Sequence, residues 1–367
     1  MTKDELIAVL RLQHIPLIGD VNAKKLILHC GTASEVFLQD QTRLLKIAGI
    51  GSRTLKDLLA PKHLAAAKAE YEYIQTNQLA YTYFLDEDYP ANLKHCSDAP
   101  ILLFKSGNFN LRNRKIISVV GTRNITAYGT AFCERFVEEI APLNPIIVSG
   151  FAYGVDICVQ RAAVKHGLQT IGCLAHGLNQ IYPKTHKKYV AAIAANGGFL
   201  TEFWSTSQPE RENFLRRNRI IAGISEATVV IESAAKGGSL VTADIAHSYH
   251  RDVFAVPGRA KDPYSLGCNN LIKQQKAHML TSAADLIYLL GWELENAKTK
   301  TVQKQLFVEL DDTEQSIHAY LQQEGKQLLD TIALKCSIPV FKASSTLLLM
   351  EMKGVIRPLP GKLFEAV

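Results

Sequence analysis

The chain has 367 residues, of which 47% are hydrophobic and 21% are charged, and this balance excludes an intrinsically disordered or collagen-like protein. The 41 basic and 35 acidic side chains give a net charge of +6, and the seven scattered cysteines form no C-x-x-C pair. No apolar run approaches the ~18 residues of a transmembrane helix and no secretory signal pattern is present, so we expect a cytoplasmic protein without membrane insertion.

Residues 1–75 are predicted to form a helical domain, because they contain short helical windows and no strand pattern. Segments 16–26 and 48–58 resemble each other: in each, a glycine (Gly19 or Gly51) follows an apolar residue and opens a predicted helix. This pattern is typical of helix-hairpin-helix or SAM-like domains, in which free N–H groups at a helix start can donate to a phosphate. Two interpretations stay open, namely binding of the DNA backbone and packing of an αα-hairpin alone.

Residues 80–292 are predicted to form a doubly wound, Rossmann-like α/β domain. Short runs rich in β-branched residues alternate with amphipathic helical windows, which is typical of a parallel sheet covered by helices on both faces. Residues 80–114 are expected to extend that sheet. The predicted strands are 115–120, 145–149, 169–175, 198–202, 227–232 and 252–257.

The C-terminal part begins with a polar segment, 293–312, that is predicted to be a linker. Residues 313–367 then contain three helical windows and two short extended segments around Pro360-Gly361, which predicts a winged-helix domain. When the linker is counted with this domain, acidic side chains slightly outnumber basic ones, which weakens the expectation of phosphate contact. A protein partner and DNA are therefore both open as ligands of this domain.

Glycine-bearing loops follow four of the predicted strands. The carboxyl ends of parallel strands form the ligand-binding edge of such a sheet, so these loops are the candidate site. Glycines allow backbone N–H groups to approach an oxyanion, and Arg123 and Lys184 would neutralise it, which predicts a phosphate-bearing ligand. The loops are GTRN (121–124), GFAYG (150–154), HG with YPK (176–177 and 182–184) and SAAKGGS (233–239).

The usual nucleotide cofactors are not predicted. The first loop reads GTRNITAYG rather than G-x-G-x-x-G, and the chain has no G-x-x-x-x-G-K-[ST] motif, so no cofactor is expected. His247 and His250 lie three residues apart, but nothing completes a metal ligand set. Glu202 and Glu232 end strands and are open to three roles: a base, a ligand of a ribose hydroxyl or a turn cap. We therefore expect no catalytic residues and no enzyme.

Six segments occur in a characteristic order: IISVVGTRNITAYG (116–129), IIVSGFAYGVD (146–156), GLNQIYPKTH (177–186), FLRRNRIIAGIS (214–225), ESAAKGGSLVTADIA (232–246) and FAVPGRAKDPYSLGCNNLIKQQKA (254–277). Together they resemble the DNA-processing protein A family, also called DprA or Smf. The resemblance implies a protein of natural transformation and recombination that binds single-stranded DNA, protects it and helps load the RecA recombinase. It also implies a homodimer.

The resemblance further implies that cations of the motifs contact phosphates in one pocket, and that an aromatic side chain stacks on a base. The aromatic candidates are Phe151, Tyr153 and Phe214. The implied DNA-binding residues are Gly121, Thr122, Arg123, Ser149, Gly150, Phe151, Lys184, Arg217, Asn218, Arg219, Gly238 and Ser239.

The chain departs from the family pattern at four places, Val159-Gln160, His186, Leu215 and Gly237, which changes pocket geometry but keeps the cations. A nucleotide phosphoribohydrolase of the LOG type is the alternative function. Its similar sheet carries a PGG-x-G-T-x-x-E loop whose glutamate assists cleavage of an N-glycosidic bond. Alignment on the two glycines places Thr242 where that glutamate would stand.

Overall fold

The computed structural model describes residues 1–293, 310–359 and 363–366. It divides the chain into two compact units, Met1–Glu293 and Leu294–Val367. Residues 294–309 of the predicted linker and the turn at Pro360-Gly361 lie outside the described residues.

The N-terminal region is helical, as the sequence predicts. Thr2 is the N-cap of the first helix, and its hydroxyl accepts a hydrogen bond from the Glu5 N–H at 3.3 Å. This helix buries Leu6, Val9 and Leu10. The helices are α1 Lys3–His14, α2 Asp20–Cys30, α3 Ala33–Val36, α4 Gln41–Leu44, α5 Ser52–Leu55 and α6 Pro61–Thr76.

The internal repeat is visible in the backbone. Leu17 and Gly49 occupy equivalent positions and both have a positive φ, of 67° and 86°. Two residues later, Gly19 and Gly51 are the N-caps of α2 and α5, and the isoleucine that precedes each N-cap glycine is buried. The two segments therefore make the same turn into a helix.

A nine-stranded sheet follows. Strands β3 to β8 correspond to the six predicted strands, and the predicted extension supplies β1 and β2. The neighbour order is β1-β2-β6-β5-β4-β3-β7-β8-β9, with parallel pairing except at β1–β2 and β2–β6. The strands are β1 Ala80–Tyr83, β2 Leu102–Asn108, β3 Ile116–Gly121, β4 Ile146–Ser149, β5 Thr170–Cys173, β6 Gly197–Thr201, β7 Ala227–Ile231, β8 Asp252–Ala255 and β9 His278–Met279.

Helices cover both faces of this sheet. Alternate residues of β3 point to opposite faces, so Ile116 and Val120 belong to one hydrophobic core and Ile117 and Val119 to another. The helices are α7 Ala91–Lys94, α8 Ala127–Ile140, α9 Val155–Lys165, α10 Lys187–Ala195, α11 Arg211–Ile224, α12 Gly238–Ser248, α13 Leu266–Lys273 and α14 Ala283–Leu289.

The topology positions a ligand crevice. Strand β3 pairs with β4 on one side and with β7 on the other, and the chain reverses its direction of winding between these neighbours. In doubly wound sheets, ligands bind outside the carboxyl ends of the strands at such a reversal. The loops after β3 and β7 are therefore the expected walls of a site.

The sequence separates residues 1–75 from residues 80–292, whereas the structure places both in one compact unit. The physical reason is a shared core, since one buried cluster contains Leu26 of α2 and Ile220 of α11. An ion pair between Asp20 and Arg219, at 3.0 Å, adds a polar link between the same two helices.

The C-terminal unit has a winged-helix fold, and its described residues form three helices and a small sheet in the order β10-β12-β11. Asp311 and Glu314 form a capping box at the start of its first helix, and Ile317, Ile332 and Leu347 fill its core. The elements are α15 Asp312–Glu324, β10 Gln327–Leu328, α16 Leu329–Lys335, α17 Val340–Met352, β11 Ile356–Leu359 and β12 Leu363–Ala366.

Within the described residues, no single helix has both the length and the apolar composition to cross a membrane. Taken together, α16 and α17 have the length and the apolar composition of a membrane span, but the two helices are bent by 108° relative to each other.

Candidate functional site

A pocket of about 610 Å³ lies at the carboxyl ends of β3 and β7. Its walls come from the loops after these strands, the first turns of α9 and α12, and one side of α11. Among the lining residues are Gly121, Thr122, Arg123, Asp156, Tyr182, Arg211, Phe214, Leu215, Arg217, Asn218, Lys236, Gly237, Gly238 and Ser239. The structure therefore brings the loops after β3 and β7 together around the pocket. Gly150, Gly154, Gly177 and Lys184 of the other loops are not among its lining residues.

Arg217 forms the base of this pocket. Its Nη1 donates to the carbonyl oxygen of Gly150 at 2.7 Å and to that of Cys173. Asp156 accepts the N–H groups of Gly150 at 3.0 Å and of Ala152 at 3.3 Å, and its charge acts on Arg217. Burial lowers the pKa of Arg217 and raises that of Asp156, with each charge opposing the shift of the other. Arg217 thus ties two strand ends together while it lines the pocket.

Gly150 is required by this arrangement. A Cβ atom at this position would stand 2.5 Å from the Asp156 carboxylate and 2.7 Å from Nη2 of Arg217. Any side chain at Gly150 would therefore collide with both the Asp156 carboxylate and the Arg217 guanidinium.

An aromatic side chain stands between cations on the pocket wall. The ring centroid of Phe214 lies 5.4 Å from the guanidinium carbon of Arg123 and 5.9 Å from that of Arg217. The ring of Tyr182, a residue that is 42% exposed, lies 5.7 Å from Phe214. Cation–π contacts of this kind hold a guanidinium close to a ring face. The wall thus offers positive charge and aromatic surface side by side.

The start of α12 contributes to the pocket as well. The helix begins at Gly238 after the N-cap Gly237, and no side chain caps it. Its first N–H groups carry partial positive charge, which favours an anion in the pocket. The Asn218 amide donates to the Gly238 carbonyl at 3.4 Å, and the Ser239 hydroxyl donates to Ser233 at 2.9 Å. The first bond ties the start of α12 to α11, and the second closes the loop after β7 on itself.

Arg219 is not among the residues that line the pocket, in contrast to Arg217 and Asn218. Its Nη2 contacts the carboxylates of Asp20, at 3.0 Å, and of Glu202. Arg216 lies 2.7 Å from the same Glu202 carboxylate. Arg219 therefore serves the contact between α11 and the N-terminal helices.

Three other predicted residues have distinct surroundings. Ser149 is fully buried, and its hydroxyl donates to the Val119 carbonyl at 2.7 Å inside the sheet. Phe151 is 1% exposed and packs against Phe199, with ring centroids 5.1 Å apart, so its ring is not presented to a ligand. Lys184 is exposed and follows Tyr182-Pro183, which line a small recess beside Arg123.

Of the residues that depart from the family pattern, some line the pocket and others are buried in the protein. Leu215 and Gly237 line the pocket. His186 is buried, with its Nδ1 at 3.0 Å from the Phe151 carbonyl oxygen, and burial lowers the pKa of its imidazole. Gln160 is fully buried in α9. Only the first two departures therefore change the pocket surface directly.

The two strand-end acids have internal partners. Glu232 accepts hydrogen bonds from the Thr126 N–H, at 2.9 Å, and from the Thr126 hydroxyl, so it caps the start of α8. Burial raises the pKa of Glu202 to about 7, against the opposing charges of Arg219 and Arg216. In the described residues, no group of three or more His, Cys, Asp or Glu side chains is arranged to hold a metal ion.

Three charged residues that line the pocket were not among the predicted DNA-binding residues: Asp156, Arg211 and Lys236. Lys236 was within reach of prediction, because it stands in the glycine loop that follows β7. Asp156 had a weaker signal, as an acid in the first turn of a helix that follows a glycine loop. Arg211 starts α11 and carried no signal in the sequence.

Comparison with known proteins identifies the family. The family described as DNA recombination-mediator protein A matches residues 80–291, and the DprA winged helix domain matches residues 304–362. The DNA processing protein DprA of Streptococcus pneumoniae is 37% identical over 203 residues, which cover 55% of this chain and 71% of that protein. The DprA of Bacillus subtilis is 39% identical over 201 residues, covering 54% and 67%.

Two solved structures extend this likeness to the fold. The X-ray structure of DprA from Streptococcus pneumoniae has a TM-score of 0.68 and 29% identity, and the match covers 78% of this chain and 98% of that one. A DprA structure from Helicobacter pylori, described for its single-stranded DNA binding mode, has a TM-score of 0.52 and 29% identity over 57% and 95% of the two chains. The chain belongs to the DNA-processing protein A (DprA/Smf) family.

Proposed function

We propose that this chain binds single-stranded DNA in the pocket at the ends of β3 and β7, and that it does so without a catalytic step. The observation that carries the proposal is the wall in which Phe214 and Tyr182 stand beside Arg123 and Arg217. Unpaired bases expose faces that stack on aromatic rings, while their phosphates need cations. The single-stranded DNA binding mode of the related Helicobacter pylori protein supports the same interpretation.

The family resemblance supports a wider role in natural transformation and recombination. In that role the chain would protect incoming single strands, deliver them to a RecA recombinase, and act as a homodimer in the cytoplasm. The pocket suits this role, because ionic and stacking contacts are not covalent and can be released when the strand is handed over.

The LOG-type alternative finds less support in the site. The Thr242 hydroxyl, at the place of the hydrolase glutamate, donates to the Gly238 carbonyl at 3.2 Å. Of the described residues that line the pocket, Asp156 bears the one carboxylate, and it is engaged by backbone N–H groups and the charge of Arg217. No observation therefore favours cleavage of a nucleotide over binding of a strand.

The experiment is a binding titration with a fluorescent single-stranded oligonucleotide across a salt series. Each lost phosphate contact makes the slope of log affinity against log salt shallower by roughly 0.7 for single strands. The double variant Arg123→Ala/Lys184→Ala should bind more weakly, with a slope shallower by about 1.4. Undiminished binding by this variant would exclude the pocket as the site.

A matched control removes two exposed cations elsewhere. Arg135 of α8 and Lys165 at the end of α9 are exposed and lie outside the pocket lining, so Arg135→Ala/Lys165→Ala should leave binding unchanged. Nucleoside monophosphates serve as competitors in the same assay. Release of free base from them would replace the binding function with the hydrolase.

A further inference from the structure

The segment around the second copy of the N-terminal repeat carries four exposed cations. Residues 41–56, called here the basic hairpin, contain four basic side chains and no acid; Asp40 and Asp57 flank the segment, so residues 40–57 carry a net charge of +2. All four, namely Arg43, Lys46, Arg53 and Lys56, are exposed. Among the described residues, the ion pairs of the molecule involve none of these four cations. Their charge is thus available to an external partner.

The basic hairpin is held in a fixed shape. Its two arms, α4 and α5, are single helical turns of about 6 Å each, and residues 45–51 join them. The turn between the arms contains Gly49 at a φ of 86°, and Lys25 Nζ donates to the Ala48 carbonyl at 2.9 Å. Lys25 adds a fifth cation beside the turn.

The first copy of the repeat has a different use. Asp20 stands where the second copy has Ser52, and its carboxylate accepts the Ile101 N–H at 2.9 Å and pairs with Arg216 and Arg219 at 3.3 and 3.0 Å. The first copy therefore packs against the sheet through an acid. The second copy buries its apolar side chains, but its cations Arg53 and Lys56 are exposed, and among the described residues its one acid, Asp57, forms no ion pair with them. Packing therefore does not account for these two cations.

We infer that the basic hairpin is a second nucleic-acid site, which contacts the backbone of duplex DNA. Residues 38–62 contain no aromatic side chain, so the hairpin cannot stack on unpaired bases as the pocket wall can. A site made of cations alone responds to charge density, and a duplex carries one phosphate charge per about 1.7 Å against about 3.4 Å for one strand. The chain would then hold DNA at a boundary between single-stranded and duplex segments. This inference rests on the proposed function of the pocket.

The test compares three probes on the full chain: a single-stranded oligonucleotide, a blunt duplex and a duplex with a single-stranded tail. For Arg53→Ala/Lys56→Ala we expect weaker duplex binding, with a salt slope shallower by about 1.8, and unchanged single-strand binding. The pocket variant Arg123→Ala/Lys184→Ala should show the reverse pattern. The tailed duplex should bind wild type more tightly than either simple probe and lose affinity in both variants.

The matched control is Lys68→Ala/Lys94→Ala, which removes the same charge from exposed positions of the same unit and should leave all three affinities unchanged. A charge-conserving Arg53→Lys variant should retain duplex binding. Duplex affinity that is the same in the hairpin variant and wild type would overturn the inference. Single-strand affinity that survives in the pocket variant would instead overturn the proposed function, so the two failures are distinguishable.

Discussion

Helix α11 lies between the pocket and the N-terminal helices, and its arginines have different partners on these two sides. Arg217 faces the pocket, whereas Arg219, two residues later, faces the N-terminal helices. Two residues correspond to roughly 200° around an α-helix, so neighbouring cations of one short motif point in nearly opposite directions. A run of basic residues on a helix therefore does not define one surface.

The two faces also differ in how their charges are balanced. On the pocket face, Arg217 is opposed by Asp156, and the exposed Arg123 nearby leaves positive charge for a ligand. On the other face, Asp20 and Glu202 stand against Arg216 and Arg219, so the charges cancel within the protein. The first face is suited to binding and the second to holding helices together.

The largest expected effect concerns the second face. Arg219→Met removes the main partner of two buried carboxylates and should lower the free energy of unfolding by about 3–5 kcal/mol, as for other broken buried ion pairs. Urea denaturation followed by circular dichroism measures this change. Folded Arg219→Met should bind single-stranded DNA like wild type, because Arg219 does not line the pocket.

Arg216→Ala is the matched control, since Arg216 contacts the same carboxylates but its side chain is 51% exposed. Water screens a half-exposed guanidinium, and Arg219 still pairs with both carboxylates in this variant, so the loss of stability should be clearly smaller than in Arg219→Met. Loss of DNA binding with unchanged stability in Arg219→Met would show that the two faces are not separate.

The comparison also shows how far sequence could predict this molecule. Strands β3 to β8 were predictable because buried parallel strands are continuous apolar runs, and the glycine loops marked the ligand edge. The orientation of the Arg219 side chain was not predictable, because the two acids that pair with it, Asp20 and Glu202, are distant from it in sequence. Phe151 looked like a stacking residue, but its backbone has a positive φ of 56° and its ring lies in the core.

A second prediction uses the pH dependence of the buried acid on the N-terminal face. Burial raises the pKa of Glu202 from 4.5 to about 7, so between these values the native state binds a proton that the unfolded state does not. The stability that this group contributes is fully present below about pH 4.5 and is lost as pH rises through 7, with a slope of at most about 1.4 kcal/mol per pH unit.

Urea titrations of wild type and Glu202→Gln at several pH values between 4.5 and 8 isolate this contribution, because other groups, Asp156 included, cancel in the difference. The stability of wild type relative to the variant should fall across that range and level off above pH 7. A difference that does not depend on pH would show that Glu202 is ionised throughout, held so by its two arginines.

The smallest expected effect concerns the ring of Phe214 on the pocket face. Phe214→Leu keeps an apolar side chain but removes the ring, so it should weaken single-strand binding by about 1–3 kcal/mol through lost stacking. Its salt slope should equal that of wild type, because no phosphate contact is removed. Phe203, whose ring lies 5.6 Å from the Arg216 guanidinium on the other face, provides the control. Phe203→Leu should change stability and leave DNA affinity unaltered, whereas a shallower slope in Phe214→Leu would mean that the ring acts only by positioning Arg123.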